Sequence, residues 1–121
     1  VSWATFNKNE NPDAIKFLRN NPEKIEWLFL SLNPSAIDLL LENYEKIDWE
    51  NFSANPKAIP YLKKNQDKIC FRELSRNPSP DAMELLENNQ SKVNWLGLAG
   101  NPAIFRYDYE KMRNSNIEFK T

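Results

Sequence analysis

The chain contains no histidine, which removes Ser-His-Asp and Cys-His catalysis and every His-ligated metal site. Only two glycines are present, Gly97 and Gly100, so there is no glycine-rich loop to cradle a phosphate. The single cysteine, Cys70, has no partner for an internal disulfide, and the fold is expected not to depend on an oxidising compartment. No apolar run approaches the ~20 residues of a membrane span, and no secretory leader is read. Charge of one sign is also missing: 16 basic residues oppose 17 acidic ones without a basic cluster. That balance argues against a dedicated nucleic-acid binder, and no membrane partner and no cofactor are expected. What remains is 121 residues, enough for one domain with an apolar core of its own.

What the sequence has is a repeat. Trp3, Trp27, Trp49, Phe71 and Trp95 recur at spacings of 24, 22, 22 and 24 residues. Six residues after four of them stands an Asn-Pro pair: Asn33-Pro34, Asn55-Pro56, Asn77-Pro78 and Asn101-Pro102. Asn11-Pro12 follows Trp3 by eight residues, a two-residue insertion, and the fourth unit absorbs two extra residues at Ser79-Pro80. Before the later aromatics come Lys24-Ile25, Lys46-Ile47, Lys68-Ile69 and Lys92-Val93. The whole chain, 1–121, reads as a single helical-repeat domain with units near 1–24, 25–46, 47–68, 69–92 and 93–121, the last carrying a C-terminal cap.

Two short helices per unit fit the spacing. Asp48 is a good N-cap, and Trp49 and Phe52, three apart, share a face, as do Trp27 with Leu30, Phe71 with Leu74, and Trp95 with Leu98. Asn55-Pro56 ends the first helix and opens the second, with Asn as N-cap and Pro at the first helical position. Ala58, Ile59 and Leu62 then follow at helical spacing, matching Ala36, Ile37 and Leu40. Asn21, Asn43, Asn65 and Asn89 are expected to close the second helices in a left-handed turn, with Ile47 and its equivalents pinning the connection. Helices of about 6–10 residues fall below the ~12–15 at which an isolated helix is even marginal, so stability must come from stacking unit on unit. The expected fold class is all-α, a short α-solenoid. A leucine-rich repeat is the rival for "LSLNPSAIDLL", but the other copies lack its alternating leucines.

At "KIDWENFSANPKAIPYL" and "KIEWLFLSLNPSAIDLL" the chain resembles tandem repeats, roughly K-I-D-W-x-x-L-S-x-N-P-x-A-I-x-L-L, of uncharacterised proteins of giant DNA viruses of the mimivirus and chlorella-virus kind. "LAGNPAIFRYDYEKM" is similar to the closing segment of such arrays. The resemblance covers nearly the whole chain and implies a viral origin and a repeat class, with no established activity. It implies a location in the infected host cell or in the virion. Phe71 departs from the usual tryptophan, Cys70 replaces the capping Asp, and the last unit lacks one residue after Pro102. Val1 stands almost directly on Trp3, with no preceding helix to cover that ring, and earlier residues are expected to be missing or cleaved.

Candidate sites have ordinary explanations beside them. Cys70 occupies a helix-capping slot without a histidine to activate it. Glu42/Glu45, Glu84/Glu87 and Asp108/Glu110 read as solvated helix charges, since acid–base work needs carboxylates in a pocket with separated pKa values. Lys24, Lys46, Lys68 and Lys92 form a basic ladder that helix-end charge explains as well. The periodic tryptophans and asparagines read as core and caps. No catalytic, cofactor or metal residue is assigned, and no enzyme is expected.

The informative positions break the repeat. Leu28, Phe29 and Leu32 fill slots held by Glu50, Asn51 and Ala54 and by Arg72, Glu73 and Arg76. Leu41 and Tyr44 likewise replace polar residues or proline. These five are the expected protein-contact residues. The function expected is a non-enzymatic protein–protein interaction module whose partner is a host or viral protein, with self-association as a further contact. The alternative is a structural or cement protein packed in a particle or homo-oligomer. On this reading alone, Trp49→Ala should cost about 3–5 kcal/mol through a cavity, and Asn55→Ala about 1 kcal/mol through a lost cap.

Overall fold

In the computed structural model, which describes residues 2–103, the chain alternates short helices and holds no strand among those residues. They are α1 (Trp3–Asn7), α2 (Pro12–Asn20), α3 (Trp27–Leu30), α4 (Ile37–Glu42), α5 (Trp49–Phe52), α6 (Ile59–Lys64), α7 (Phe71–Leu74), α8 (Ala82–Glu87) and α9 (Trp95–Ala99). The protein is all-α over this span. Each periodic aromatic opens a helix of four or five residues, one turn or little more, shorter than the spacing predicts. The reason lies in the next residues, where the chain must turn sharply so that the Asn-Pro pair can reach the unit before it. In the first unit Pro12 opens α2 directly. In the second, Pro34–Ala36 form a 3-10 turn, and α4 starts only at Ile37.

A third element was not anticipated. The lysine-isoleucine signature ends a 3-10 turn in each connection: Pro22–Lys24, Tyr44–Lys46, Gln66–Lys68 and Gln90–Lys92. The asparagine before each turn is not left-handed. Asn21, Asn43, Asn65 and Asn89 have φ of −135°, −128°, −134° and −134°. Their side chains explain the residue choice instead, because each Nδ2 donates to the carbonyl four residues back, at 2.8–2.9 Å. The amide thus occupies a carbonyl that the ending helix leaves free.

The core is one cluster running from Ile15 to Ala103. Its fully buried members repeat: Leu30, Phe52, Leu74 and Leu98 from the short helices, and Leu18, Leu40, Leu62 and Leu86 from the longer ones. The tryptophans are not its centre. Trp27, Trp49 and Trp95 are half-buried and pack on its edge. Ile47 and Val93 are buried as expected of the connection, and Ile25 and Ile69 are partly so.

Two sets of buried hydrogen bonds tie each unit to the next. The first uses the asparagine of Asn-Pro. Asn55 Nδ2 donates to the carbonyls of Ser31 and Asn33 in the preceding unit, both at 3.0 Å, while its Oδ1 accepts from Lys57 N–H at 3.0 Å. Asn33 does the same with the carbonyls of Asn7 and Asn9, Asn77 with Ser53 and Asn55, and Asn101 with Ser75 and Asn77. All four side chains are at most 2% exposed.

The second set uses the serine four residues after the aromatic. Ser31, Ser53 and Ser75 each donate Oγ–H to the aromatic's carbonyl at 2.7 Å. The same oxygens accept the backbone N–H of Asp48, Cys70 and Asn94 from the following unit at 2.9–3.0 Å. In the first unit Asn7 performs both tasks, donating to Trp3 O at 2.7 Å and accepting from Glu26 N–H at 3.0 Å. No buried side-chain nitrogen or oxygen among the described residues lacks a partner.

These bonds change the expected cost of substitutions. Asn55 is a buried bridge as well as a cap: truncation strands the Ser31 carbonyl and the Lys57 N–H, each at roughly 1–3 kcal/mol, and takes a second donor from the Asn33 carbonyl, which keeps the Ala36 N–H. Asn55→Ala should therefore lose about 3 kcal/mol or more in chemical denaturation, above the cap value. Ser53→Ala, which strands Cys70 N–H, should lose about 1–3 kcal/mol. Phe52→Ala should cost about 3–5 kcal/mol and Trp49→Ala clearly less, because only the former ring is fully enclosed. Equal losses for the two ring variants would contradict this placement of the core.

Candidate interaction surface

The residue after each periodic aromatic stands at the same point of its short helix: Ala4, Leu28, Glu50, Arg72 and Leu96. Adjacent members are near one another, since the Arg72 guanidinium pairs with the Glu50 carboxylate across the unit boundary. Asn51 Nδ2 also reaches across to the Leu28 carbonyl at 2.7 Å. The row reads apolar, acidic, basic, apolar from Leu28 to Leu96, with an ion pair between two exposed leucines. Leu28 is 50% exposed and Leu96 84%. The hydrogen bond to Glu73, with the charge of Glu50 next, holds Arg72 above its already high ordinary pKa, so it is a permanent cation.

Leu96 is an exposed leucine in this row that sequence reasoning missed. Its signal was available, because it occupies the Leu28 slot three units on, directly after Trp95. Beside it Gly97 is buried, and a Cβ there would stand 3.1 Å from Arg76 Cγ. The missing side chain is what lets the Arg76 stem lie against the helix.

The five sequence-predicted contact residues do not share one environment. Leu28 is exposed, whereas Phe29, Leu32 and Leu41 are half-buried. Lys8 Nζ lies 5.6 Å from the centre of the Phe29 ring. Tyr44, although 41% exposed, serves the next unit: its hydroxyl donates to Asn65 Oδ1 at 2.6 Å, and its ring meets Trp49 edge-on at 5.4 Å. Polar residues or proline fill this slot elsewhere, so the tyrosine supplies an extra tie between the second and third units.

The remaining candidates have local roles. Cys70 precedes α7 without a side-chain cap and is joined to the preceding unit through its N–H on Ser53. Glu42 pairs with Arg19, and Glu84 lies 3.3 Å from Lys63. Asp108 and Glu110 lie outside the described residues. Three of the four ladder lysines lie over aromatic faces: Lys24, Lys68 and Lys92 place their ammonium groups 5.0–5.6 Å from the ring centres of Trp3, Trp49 and Phe71. Each of these three lysines thus covers the ring that opens its own unit. Among the described residues no group of three Cys, Asp or Glu could hold a metal ion, and no helix is long and apolar enough to cross a membrane. A shallow cleft of about 400 Å³ lies between the proline corners of the third and fourth units, walled by Pro56, Ile59, Pro78 and Pro80.

The two kinds of apolar departure are separable by stability. Tyr44→Phe should lose about 0.5–1.5 kcal/mol with its hydrogen bond to Asn65, while Leu28→Lys should stay within about 0.5 kcal/mol of the parent. A Leu28 variant that melted far below the Tyr44 variant would place Leu28 in the core and not on the surface. Comparisons with protein-family models, curated proteins and solved structures return no match for this chain.

Proposed function

We propose that the chain is a short α-solenoid of about five two-helix units and serves as a non-enzymatic protein–protein interaction module of viral origin. One observation carries the reading. The slot after the periodic aromatic keeps its place in every unit, is exposed from Leu28 onward, and changes chemistry each time. A constant interior with a variable outer row is how stacked repeats build a recognition surface. The buried polar groups support it from the other side, for the asparagines and serines that could have formed a site are consumed in joining units. Two leucines flanking an ion pair offer apolar anchors around a polar centre, a pattern suited to another protein's surface.

The viral assignment rests on the resemblance of the repeat unit to those of giant DNA viruses, and it sets the assay. Lysate from cells infected with such a virus is passed over the parent chain and over a Leu28→Lys, Leu96→Lys variant shown to melt like the parent. A protein retained by the parent and lost by the variant is the expected result. Identical retention by both would remove this row as the contact surface, and the chain would then be sought in purified particles.

A further inference from the structure

One end of the molecule repeats the chemistry of the unit–unit junction but leaves it open. Asn33, Asn55, Asn77 and Asn101 are at most 2% exposed and each donates twice to the unit before it. Asn11, in the same slot, is exposed. Its Oδ1 still caps α2 by accepting from Asp13 N–H at 2.9 Å, but its Nδ2 has no acceptor among the described residues.

The apolar side tells the same story. Phe17 is 41% exposed, although Leu39 and Leu85 in its slot are 4% and 2% exposed and Tyr61 is half-buried. Phe6 is half-buried where Leu30, Phe52, Leu74 and Leu98 are wholly enclosed. Trp3 stacks on Phe17 at 6.0 Å and 10°, with Phe6 edge-on to both. These rings, with Ala14 and Asn11, wall a cleft of about 400 Å³. Charge plays little part in it, since Asp13 is the one ionisable side chain among the residues that line it.

We propose that this end face is an open half-junction that takes one further repeat unit of the same kind. The proposal rests on the stacked-repeat reading above. The four closed junctions define the occupant. It offers two main-chain carbonyls two residues apart for Asn11 Nδ2, a hydroxyl or amide side chain for the N–H of the Ser2 slot, and an apolar helix face to fill the aromatic cleft. The chain's own last unit fits poorly, because Ala99 stands where Asn7, Ser31, Ser53 and Ser75 supply that polar side chain. A second copy docked through its last unit is therefore not the occupant.

The test adds a copy of residues 47–68 directly ahead of Val1, which keeps register because Lys68 then precedes Val1 as it precedes Ile69. A Phe17→Cys thiol in a Cys70→Ser background reports cover of the face. Maleimide labelling is expected to slow at least tenfold in the extended protein, with a higher melting temperature. Asn11→Asp keeps the capping oxygen and removes the donor. It should leave the original chain's melting unchanged yet cancel most of the gain in the extended one. Unchanged labelling, or a gain indifferent to Asn11→Asp, would overturn the proposal. The original chain should sediment as a monomer; a dimer abolished by Phe17→Lys would also overturn it, by giving the face to a second copy. Asn55→Asp in the original chain separates the two readings. If it unfolds the chain while the added unit protects nothing, stacking stands and the open face falls.

Discussion

Everything in this structure depends on a carboxamide that is buried and satisfied at three points. The asparagine of Asn-Pro presents one oxygen to its own chain two residues ahead and one NH2 group to two carbonyls of the preceding unit. No other side chain of that size supplies an acceptor and two donors together. Aspartate would bring a charge to a pair of carbonyls, and leucine would leave the first of them without a donor. The proline that follows presets the backbone to turn away, so the amide and the turn act as one device.

That device explains why helices of four residues are stable here. A single turn cannot offset its own nucleation in water, and its end carbonyls are left over. In this chain those carbonyls are the acceptors for the next unit's asparagine, so the feature that makes a short helix weak becomes the means of joining it. The serine hydroxyl works the same way, tying a helix's first carbonyl to the neighbour's N–H. Stability is then a property of junctions more than of units, and losing one buried bond is felt on both sides of it.

Because the interior repeats, differences between units collect outside. The ion pair of Glu50 and Arg72 lies in a slot that holds leucine in the units on either side of the pair. The aromatic cleft at Trp3, Phe6 and Phe17 is a second kind of difference, for the equivalent apolar positions Leu30, Leu39, Phe52 and Leu74 are enclosed. On the reading proposed above, the surface row and the end face are two places where the chain would meet another protein, and they differ in what they ask. The row would accept any complementary surface, whereas the end face would ask for a helical unit with free carbonyls in the right register.

The period, the helical class, the Asp48 cap and the leucine positions were all legible in the sequence, because they rest on local spacing and on hydrogen bonds within a few residues. Lys24, Lys68 and Lys92 were visible as a ladder, but that they lie over rings some twenty residues earlier was not. Asn55 was recognisable as a cap, while its two further bonds join residues 22 and 24 positions apart and exist only once units are packed. Tyr44 looked like a surface anchor until its hydroxyl was found on Asn65, and Leu96 was passed over although its slot was known. Local chemistry is written in neighbours along the chain. Which donor meets which acceptor across a unit boundary, and which apolar side chain is left without cover, is decided only by the tertiary packing that brings distant slots together.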